Sequence, residues 1–368
     1  MGPLPLPPGI RERRVAGVNG LEMRLLEAGE ASRPCLLLLH GFPELAFSWR
    51  KVMLPLAAAG YWVVAPDQRG YGGTTGWDPR YDGDLASFHM TNLVADARAL
   101  LAALGRRGAA AVIGHDFGSP VAAWCALLHP EAFGAVALMS APFPGPPKAA
   151  PPPPDPVHAE LAALPRPRKH YQWYYSTREA EADMLRCPQG LHAFLRAYYH
   201  MKSADWPQNR PFELKSWSAP ELAKLPDYYV MELAKTMPET VAPAMPSPAE
   251  VAGCGWLTEA ELAVYSGEFA RSGLQGGLNW YRCRTSGAFD ADLAAHSGRA
   301  IEVPACFIAG AADWGPQQSP GALKRMLERA FADGRGCHRV AGAGHWVQQE
   351  QPAETARLLL EFLGAARR

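Results

Sequence analysis

The stretch AAAVIGHDFGSPVAAWCALLH, residues 109–129, decides how this chain folds. Residues 109–113 are a short apolar run containing Val and Ile, which predicts a buried strand. Residues 119–129 carry apolar side chains at helical spacing and are followed by a proline, so we expect a helix there. Between the two, Gly114 and Gly118 each stand two residues from Asp116. A strand that turns so sharply into a helix strains its central residue and crowds nearby backbone, and the glycines relieve that crowding.

The aspartate at the centre of this turn predicts a particular chemistry. A carboxylate has a pKa of about 4, so it is ionised at neutral pH and can attack without a base. Attack on acyl carbon would give a reactive anhydride, whereas attack on saturated carbon gives an ordinary ester that water can cleave. Asp116 therefore indicates alkyl transfer, such as epoxide opening or dehalogenation. The alternative from the turn alone is a helix-capping aspartate in a Rossmann-like turn.

The composition excludes several classes of protein. Lys plus Arg equals Asp plus Glu at 36 each, so nothing indicates a nucleic-acid partner or a membrane surface. No run approaches the roughly 18 apolar residues of a membrane helix, and the start of the sequence lacks the apolar centre of a signal peptide. The seven cysteines are scattered without a CxxC pair, which favours free thiols and a cytoplasmic location.

Strand and helix patterns alternate on both sides of the turn. An Asn19-Gly20 pair between two β-like runs predicts a hairpin over residues 11–29. Further strands are expected at residues 34–39, 61–65, 133–140, 301–309 and 337–342, and helices at 49–59, 90–104 and 321–332. Continuous apolar strands that alternate with helices predict an α/β protein with a doubly wound, mainly parallel sheet.

The composition and the hydrophobic pattern of the sequence change after residue 141. Residues 142–156 contain nine prolines and predict an extended connector. From 157 to 296 the pattern is helical and aromatic-rich, with a capping box formed by Thr258 and Glu261. We therefore predict a core made of residues 1–141 and 298–368, and an inserted helical cap over residues 142–297.

Two further residues stand where a parallel sheet binds its ligands. Asp313 and His345 each follow the end of a predicted strand, and the chain order Asp116, Asp313, His345 is that of a nucleophile, an acid and a base. The segment HGFPE (40–44) follows a third strand, and the backbone N–H of Phe42 is expected to point at the same site. His40 and His115 are interpreted as packing and hydrogen-bonding residues, since neither has an acidic partner at a suitable spacing.

With these motifs, the sequence resembles the epoxide hydrolases of the α/β-hydrolase fold over its whole length, cap included. Members of that family hold the epoxide oxygen with two cap tyrosines. One lies in a YQxYF-like segment that matches residues 171–175, and the other in an LNWYR segment that matches residues 278–282. The resemblance assigns these roles to Tyr171 and Tyr281, with Tyr174 and Tyr175 left open as alternatives to Tyr171.

The resemblance implies a two-step reaction that yields a vicinal diol. Asp116 would attack an epoxide carbon while the cap tyrosines bind the oxygen, and His345, supported by Asp313, would activate water against the resulting ester. Backbone N–H groups of Phe42 and Phe117 would form the oxyanion hole. The substrate pocket is expected to be lined by Phe42, Pro43, Phe117, Trp173 and Trp346. A small-molecule epoxide is the expected partner, no metal or organic cofactor is needed, and a homodimer is left open.

Two other functions remain open at this point. A haloalkane or haloacid dehalogenase would use the same nucleophile, and a ligand receptor could reuse the fold without catalysis. A binding protein has no need of a general base, which disfavours the receptor. Phe117 stands where many relatives carry Trp, and it offers no N–H or charge to a halide or a substrate carboxylate.

Overall fold

The computed structural model describes residues 4–149 and 155–366. Ten strands run through these residues. In chain order they are β1 (Ile10–Val18), β2 (Leu21–Ala28), β3 (Cys35–Leu39), β4 (Trp62–Pro66), β5 (Ala111–His115), β6 (Val136–Met139), β7 (Arg168–His170), β8 (Val230–Glu232), β9 (Ala305–Gly310) and β10 (Gly334–Val340).

Eight of the strands form one sheet in the order β1-β2-β4-β3-β5-β6-β9-β10. The hairpin β1-β2 turns at Asn19-Gly20, both in left-handed conformation, and pairs antiparallel to β4. From β4 to β10 every pairing is parallel. All residues of β3, β4, β5, β6 and β9 are buried, because helices cover both faces of the sheet. The predicted doubly wound sheet is confirmed.

The helices divide into those of the sheet domain and those inserted into it. The sheet domain carries α1 (Arg50–Ala58), α2 (Met90–Ala103), α3 (Gly118–Leu128), α14 (Ala322–Arg325), α15 (Val347–Glu350) and α16 (Pro352–Ala366). Between β6 and β9 lie α4 (Val157–Ala162), α5 (Tyr171–Tyr175), α6 (Ala180–Leu185), α7 (Leu191–Lys202), α8 (Ala219–Leu222), α9 (Met237–Val241), α10 (Pro248–Gly253), α11 (Glu259–Ser272), α12 (Gln275–Ser286) and α13 (Asp290–Ala294). Short 3-10 turns occur at Ala46–Trp49, Leu85–Phe88, Ala242–Ala244 and Gly315–Gln317.

The inserted segment packs over the carboxyl ends of the parallel strands. In its described part it adds no strand to the large sheet, although β7 and β8 pair with each other, which the sequence did not predict. The expected capping box at Thr258 is present and starts α11, which ends at Gly273. The close fit to the core is visible at Gly70 and Gly276, where a side chain on either would overlap the other's backbone.

Other expectations need correction or lie outside the described chain. The helix expected at 321–332 is short: α14 passes into a π-helical turn, Met326–Ala330, closed by a hydrogen bond from Phe331 N to Met326 O (3.0 Å). Residues 150–154 of the predicted connector lie outside the described residues.

All seven cysteines are free thiols. Within the described ranges, no helix combines the length and apolar character that a membrane span requires.

Candidate active site

The turn between β5 and α3 is as tight as its glycines predicted. Asp116 has a φ of 51°, in the left-handed region that costs a residue with a side chain. A side chain on Gly114 would overlap the carbonyl oxygen of Gly118, and one on Gly118 would overlap that of Leu39. The backbone therefore holds the Asp116 side chain out of the turn, above the end of the sheet.

The carboxylate of Asp116 lies between a backbone donor and an imidazole. The N–H of Phe42 donates to Oδ1 (3.0 Å), and Nε2 of His345 lies 3.1 Å from Oδ2. Burial raises the pKa of Asp116, but the hydrogen bond and charge of His345 outweigh it and leave the pKa below its ordinary value. The side chain is thus ionised at neutral pH, as a nucleophilic carboxylate must be.

On its other side, the His345 ring contacts Asp313. Nδ1 of His345 lies 3.1 Å from Oδ1 of Asp313, and the same oxygen accepts the N–H of Gly315 (2.7 Å). Burial raises the pKa of Asp313, and the charge of His345 more than offsets this. A neutral imidazole that donates from Nδ1 to Asp313 keeps its lone pair on Nε2, where a general base needs it.

A buried ion pair lies beside Asp116, His345 and Asp313, and the sequence did not predict it. Nδ1 of His115 lies 2.6 Å from Oε2 of Glu44, and Nε2 lies 2.7 Å from the carbonyl oxygen of His345. Burial lowers the pKa of His115, but Glu44 raises it above the ordinary value, and His115 in turn lowers the pKa of Glu44 against the effect of burial. The interpretation of His115 as having no acidic partner is therefore wrong, because β3 and β5 are neighbours in the sheet although the two residues are far apart in sequence.

The cap places Tyr281 directly over the turn between β5 and α3, residues 114–118, which is called the elbow below. Its ring contacts Phe117 and Phe42 edge-on, with centroid distances of 5.1 and 5.6 Å. Burial, followed by the negative charge of Asp116, raises its pKa well above 10. The hydroxyl is therefore a neutral O–H donor at any physiological pH.

The three tyrosines of residues 171–175 differ in whether their side chains face Tyr281. The ring of Tyr171 lies 5.9 Å from that of Tyr281, and its hydroxyl donates to Oε1 of Gln318 (3.1 Å). Tyr175, one helical turn later, also faces Tyr281 (5.1 Å), and its hydroxyl donates to that of Tyr198 (3.2 Å). Tyr174 points away and donates to Oδ2 of Asp183 in the cap (2.9 Å). Tyr171 and Tyr175 thus both face Tyr281, whereas Tyr174 does not. Burial, followed by the charge of Asp116, raises the pKa of Tyr171, and the assignment of Tyr171 stays a prediction.

A second backbone donor borders Asp116 at the predicted oxyanion hole. Gly41 packs so closely here that an added side chain would overlap the carboxyl of Asp116 and lie 2.7 Å from the N–H nitrogen of Phe117. The amides of Phe42 and Phe117 therefore border the same small space.

The predicted pocket residues are only partly found at the cavity beside the elbow. An apolar cavity of about 340 Å³ runs outward from Phe117, between the core and α12. Trp173 does not line it and packs against the rings of His158 (3.5 Å) and His170 (5.4 Å), since two positions along a helix separate it from the face of Tyr171. Trp346 is also absent from the lining and is fully buried against Tyr199 (4.3 Å).

The remaining lining predictions concern the loop after β3. Phe42 and Pro43 are buried beside the elbow rather than along the cavity wall. The carbonyl oxygen of Pro43 accepts a hydrogen bond from the hydroxyl of Tyr199 (2.7 Å). The wall is instead built mainly by aromatic and proline side chains that sequence reasoning had not selected, including Phe88, Trp124, Phe143 and Trp280.

No inorganic group is suggested by the side chains that the structure describes. Among residues 4–149 and 155–366, no set of three or more His, Cys, Asp or Glu residues is arranged to hold a metal ion.

Comparison with known proteins agrees with this geometry. Residues 34–222 match the model of the alpha/beta hydrolase fold family. The chain is 35% identical to Epoxide hydrolase A of Mycobacterium tuberculosis, with 96% of this chain and 98% of that protein covered. It is 36% identical to Epoxide hydrolase B of the same organism, with 91% and 92% covered. Among solved structures, an epoxide hydrolase from an endophytic Streptomyces superposes with a TM-score of 0.79 at 34% identity and covers 98% of this chain and 97% of its own.

Proposed function

This chain belongs to the epoxide hydrolases of the α/β-hydrolase fold, hydrolases that act on the ether bond of an epoxide, and we propose that it forms vicinal diols through a covalent ester on Asp116. The observation that carries the proposal is the position of His345, between the carboxylates of Asp116 and Asp313. In the cap, the rings of Tyr171 and Tyr281 contact each other, and that of Tyr281 contacts Phe117, the residue after Asp116. A binding protein would not need a base held in this way.

In the first step, Oδ of Asp116 attacks a carbon of the epoxide. The C–Oδ bond forms as the C–O bond of the ring breaks, and the electron pair moves to the epoxide oxygen. The phenol groups of Tyr281 and Tyr171 donate to that oxygen and supply its proton. Their raised pKa values keep the proton available before attack, since a buried phenol is hard to ionise until an alkoxide is present to take it.

In the second step, His345 removes a proton from water, and the hydroxide attacks the ester carbon of Asp116. The N–H groups of Phe42 and Phe117 donate to the oxyanion, and collapse releases the diol and restores the carboxylate. Asp313 stabilises the imidazolium that forms, and the proton then leaves His345 to restore the tyrosine. Water supplies the two hydrogens and the one oxygen that the diol has in addition to the epoxide, so the reaction needs no cofactor.

Trapping of the ester tests the proposal. His345→Gln should still be alkylated by an aryl epoxide but should hydrolyse the ester about 100- to 10,000-fold more slowly, because the base is lost. Intact-protein mass should rise by one substrate mass, on the peptide that contains Asp116. Asp116→Asn in the same background is the matched control and should gain no mass. Substrate that binds to His345→Gln without any mass gain would contradict covalent catalysis.

A parallel assay separates the epoxide hydrolase from the dehalogenase. The side chain of Phe117 has no polar hydrogen for a halide and no charge for a substrate carboxylate, whereas the cap phenols suit an alkoxide that must be protonated. We expect diol from epoxides and little or no halide from haloalkanes or fluoroacetate in the same preparation. Halide release at comparable efficiency with epoxides untouched would overturn the proposal.

A further inference from the structure

A buried lysine of the cap lies next to the loop of His345. Lys202 is the last residue of α7 and is only 3% exposed. Its ammonium lies 5.2 Å from the ring centroid of Tyr198, 5.9 Å from Tyr228, 5.4 Å from Tyr229 and 5.2 Å from Trp346. Within the described residues, it forms no ion pair with a carboxylate. Aromatic faces replace only part of the hydration that a buried ammonium loses, so burial of Lys202 costs free energy. A functional role would explain why this cost is accepted.

The carboxylates of the active site act on this ammonium without contacting it. Burial lowers the pKa of Lys202, and the negative charges of Asp116, Asp313 and Glu44 oppose that change. The influence is mutual: after burial and His345, the charge of Lys202 is the next contribution to the pKa of Asp116, and it lowers it. Oδ2 of Asp313 is buried and has no direct hydrogen-bond partner within the described residues, although, against the effect of burial and after that of His345, the side chain of Ser140 helps to lower the pKa of Asp313.

The other titratable groups around the ammonium are tyrosines and one glutamate. Burial raises the pKa of Tyr198, Tyr228 and Tyr229, so all three stay neutral well into the alkaline range. Burial also raises the pKa of Glu350, to about 8, although that carboxyl accepts three backbone N–H groups. Beside His345 itself, the ring of His115 lies 5.1 Å away and carries a positive charge that Glu44 stabilises. Lys202 therefore adds a second positive charge, on the cap side, to that of His115.

The backbone at Lys202 holds the loop of the catalytic histidine. The carbonyl oxygen of Lys202 accepts the N–H of His345 (2.9 Å). An added side chain on Gly344 would lie 2.6 Å from that same oxygen and 2.6 Å from the nitrogen of Ala204, so the loop and the end of α7 are in close contact. The backbone at the end of α7 is thus packed against the loop that carries His345.

We propose that Lys202 is a positioning residue that acts through its charge: it balances part of the negative charge of Asp116 and Asp313 and so makes protonation of His345 less favourable than it would be without the lysine. The proposal rests on the function proposed above. Two ionised carboxylates, Asp116 and Asp313, flank the imidazole and draw a proton onto it. A positive charge in the same low-dielectric space offsets part of that pull, which favours an Nε2 that is free to accept a proton from water.

The pH dependence of hydrolysis tests this role. In Lys202→Met, a side chain of similar length without charge, His345 should be protonated at a higher pH, so the acid limb of kcat should move up by about one unit. Turnover should then fall by up to about tenfold at pH values below that limb and should change little above it. In Lys202→Arg, whose charge is permanent, the acid limb should stay in place. The wild-type rate should also fall in the alkaline range as Lys202 loses its proton, and this limb should disappear in Lys202→Arg.

Lys169→Met is the matched control. Lys169 is a partly buried cap lysine whose ammonium lies 4.9 Å from the ring centroid of Tyr174, the tyrosine that faces away from the site. The same substitution there removes a charge over an aromatic ring without changing the field at His345. Its pH profile should match the wild type, and a shift equal to that of Lys202→Met would mean that the effect is general and would overturn the proposal.

An NMR titration does not depend on turnover, so it can test the role of Lys202 separately from the proposed epoxide hydrolase function. The ¹³C resonance of the His345 ring, assigned by its loss in His345→Gln, should titrate at higher pH in Lys202→Met than in the wild type or in Lys202→Arg. Identical titrations in all three proteins, each with the same far-UV circular dichroism, would overturn the role of Lys202. A wild-type protein that neither hydrolyses nor is alkylated by epoxides would instead overturn the proposed function, whatever the titrations show.

Discussion

The two sides of the candidate site are built in different ways. On the core side, Asp116, Asp313 and His345 follow the ends of strands, and backbone contacts hold them there. On the cap side, Tyr171 and Tyr281 lie on helices and are placed by ring contacts with each other and with the elbow. The core side should therefore respond to changes in backbone and buried charge, while the cap side should tolerate any change that keeps the rings.

The cap side gives the largest expected effect on chemistry. Tyr171→Phe and Tyr281→Phe should each slow alkylation by an amount equivalent to about 2.7–4 kcal/mol, as for loss of one oxyanion donor, and the double change should nearly abolish it. Unfolding should barely change because the rings remain. Rapid-quench measurement of ester formation is the assay.

Tyr174→Phe is the control for this comparison. It removes a hydroxyl from the same short helix, but that hydroxyl donates to Asp183 rather than facing Asp116. Alkylation should stay at the wild-type rate, with a loss of stability of about 0.5–1.5 kcal/mol. Slow alkylation in Tyr174→Phe and normal alkylation in Tyr171→Phe would show that the cap tyrosine has been assigned wrongly.

The core side gives the largest expected effect on stability. Glu44→Gln leaves the buried imidazolium of His115 without its counter-charge and should lower the free energy of unfolding by about 3–5 kcal/mol. Urea titration measures this. Glu22→Gln breaks an exposed pair with Arg14 by the same substitution and should cost less than about 1 kcal/mol.

The same pair makes stability depend on pH in a defined window. The pKa of His115 is raised, so its contribution is complete below the ordinary value of 6.5 and is lost as pH rises through the folded-state pKa. The pKa of Glu44 is lowered, so its contribution is complete above 4.5 and is lost as pH falls through the folded-state pKa. The difference between wild type and Glu44→Gln should thus be largest between pH 4.5 and 6.5 and shrink on both sides. A difference that stays the same from well below pH 4.5 to well above pH 6.5 would contradict the ion pair.

A smaller effect is expected where the core backbone is crowded. Gly41→Ala places a methyl group against the carboxyl of Asp116 and the amide of Phe117, and should cost about 1–3 kcal/mol of stability together with slower alkylation. Gly267→Ala, inside α11 with open space around it, is the control and should be neutral or slightly stabilising. If Gly41→Ala proves harmless by thermal melting and ester formation, the core side is less rigid than its contacts indicate.

The sequence by itself determined the features that depend on short stretches of chain. The hairpin at Asn19-Gly20, the turn at Asp116 and the capping box at Thr258 each need only neighbouring residues, since local sterics and local hydrogen bonds decide them. The parallel sheet followed from its alternating pattern, and because parallel strands end at one edge, residues after those ends could be expected to meet.

Only the tertiary structure decided which distant side chains meet. Glu44 and His115 pair because β3 and β5 are adjacent, an arrangement that spacing along the chain does not reveal. Trp173 was expected in the pocket, but the pitch of a short helix turns it to the opposite face from Tyr171. Lys202 carries no sequence motif, and its burial near Asp116 and Asp313 arises only when the cap folds over the sheet. Charge and burial are properties of the packed molecule, because they depend on every group within several ångströms rather than on neighbours in sequence.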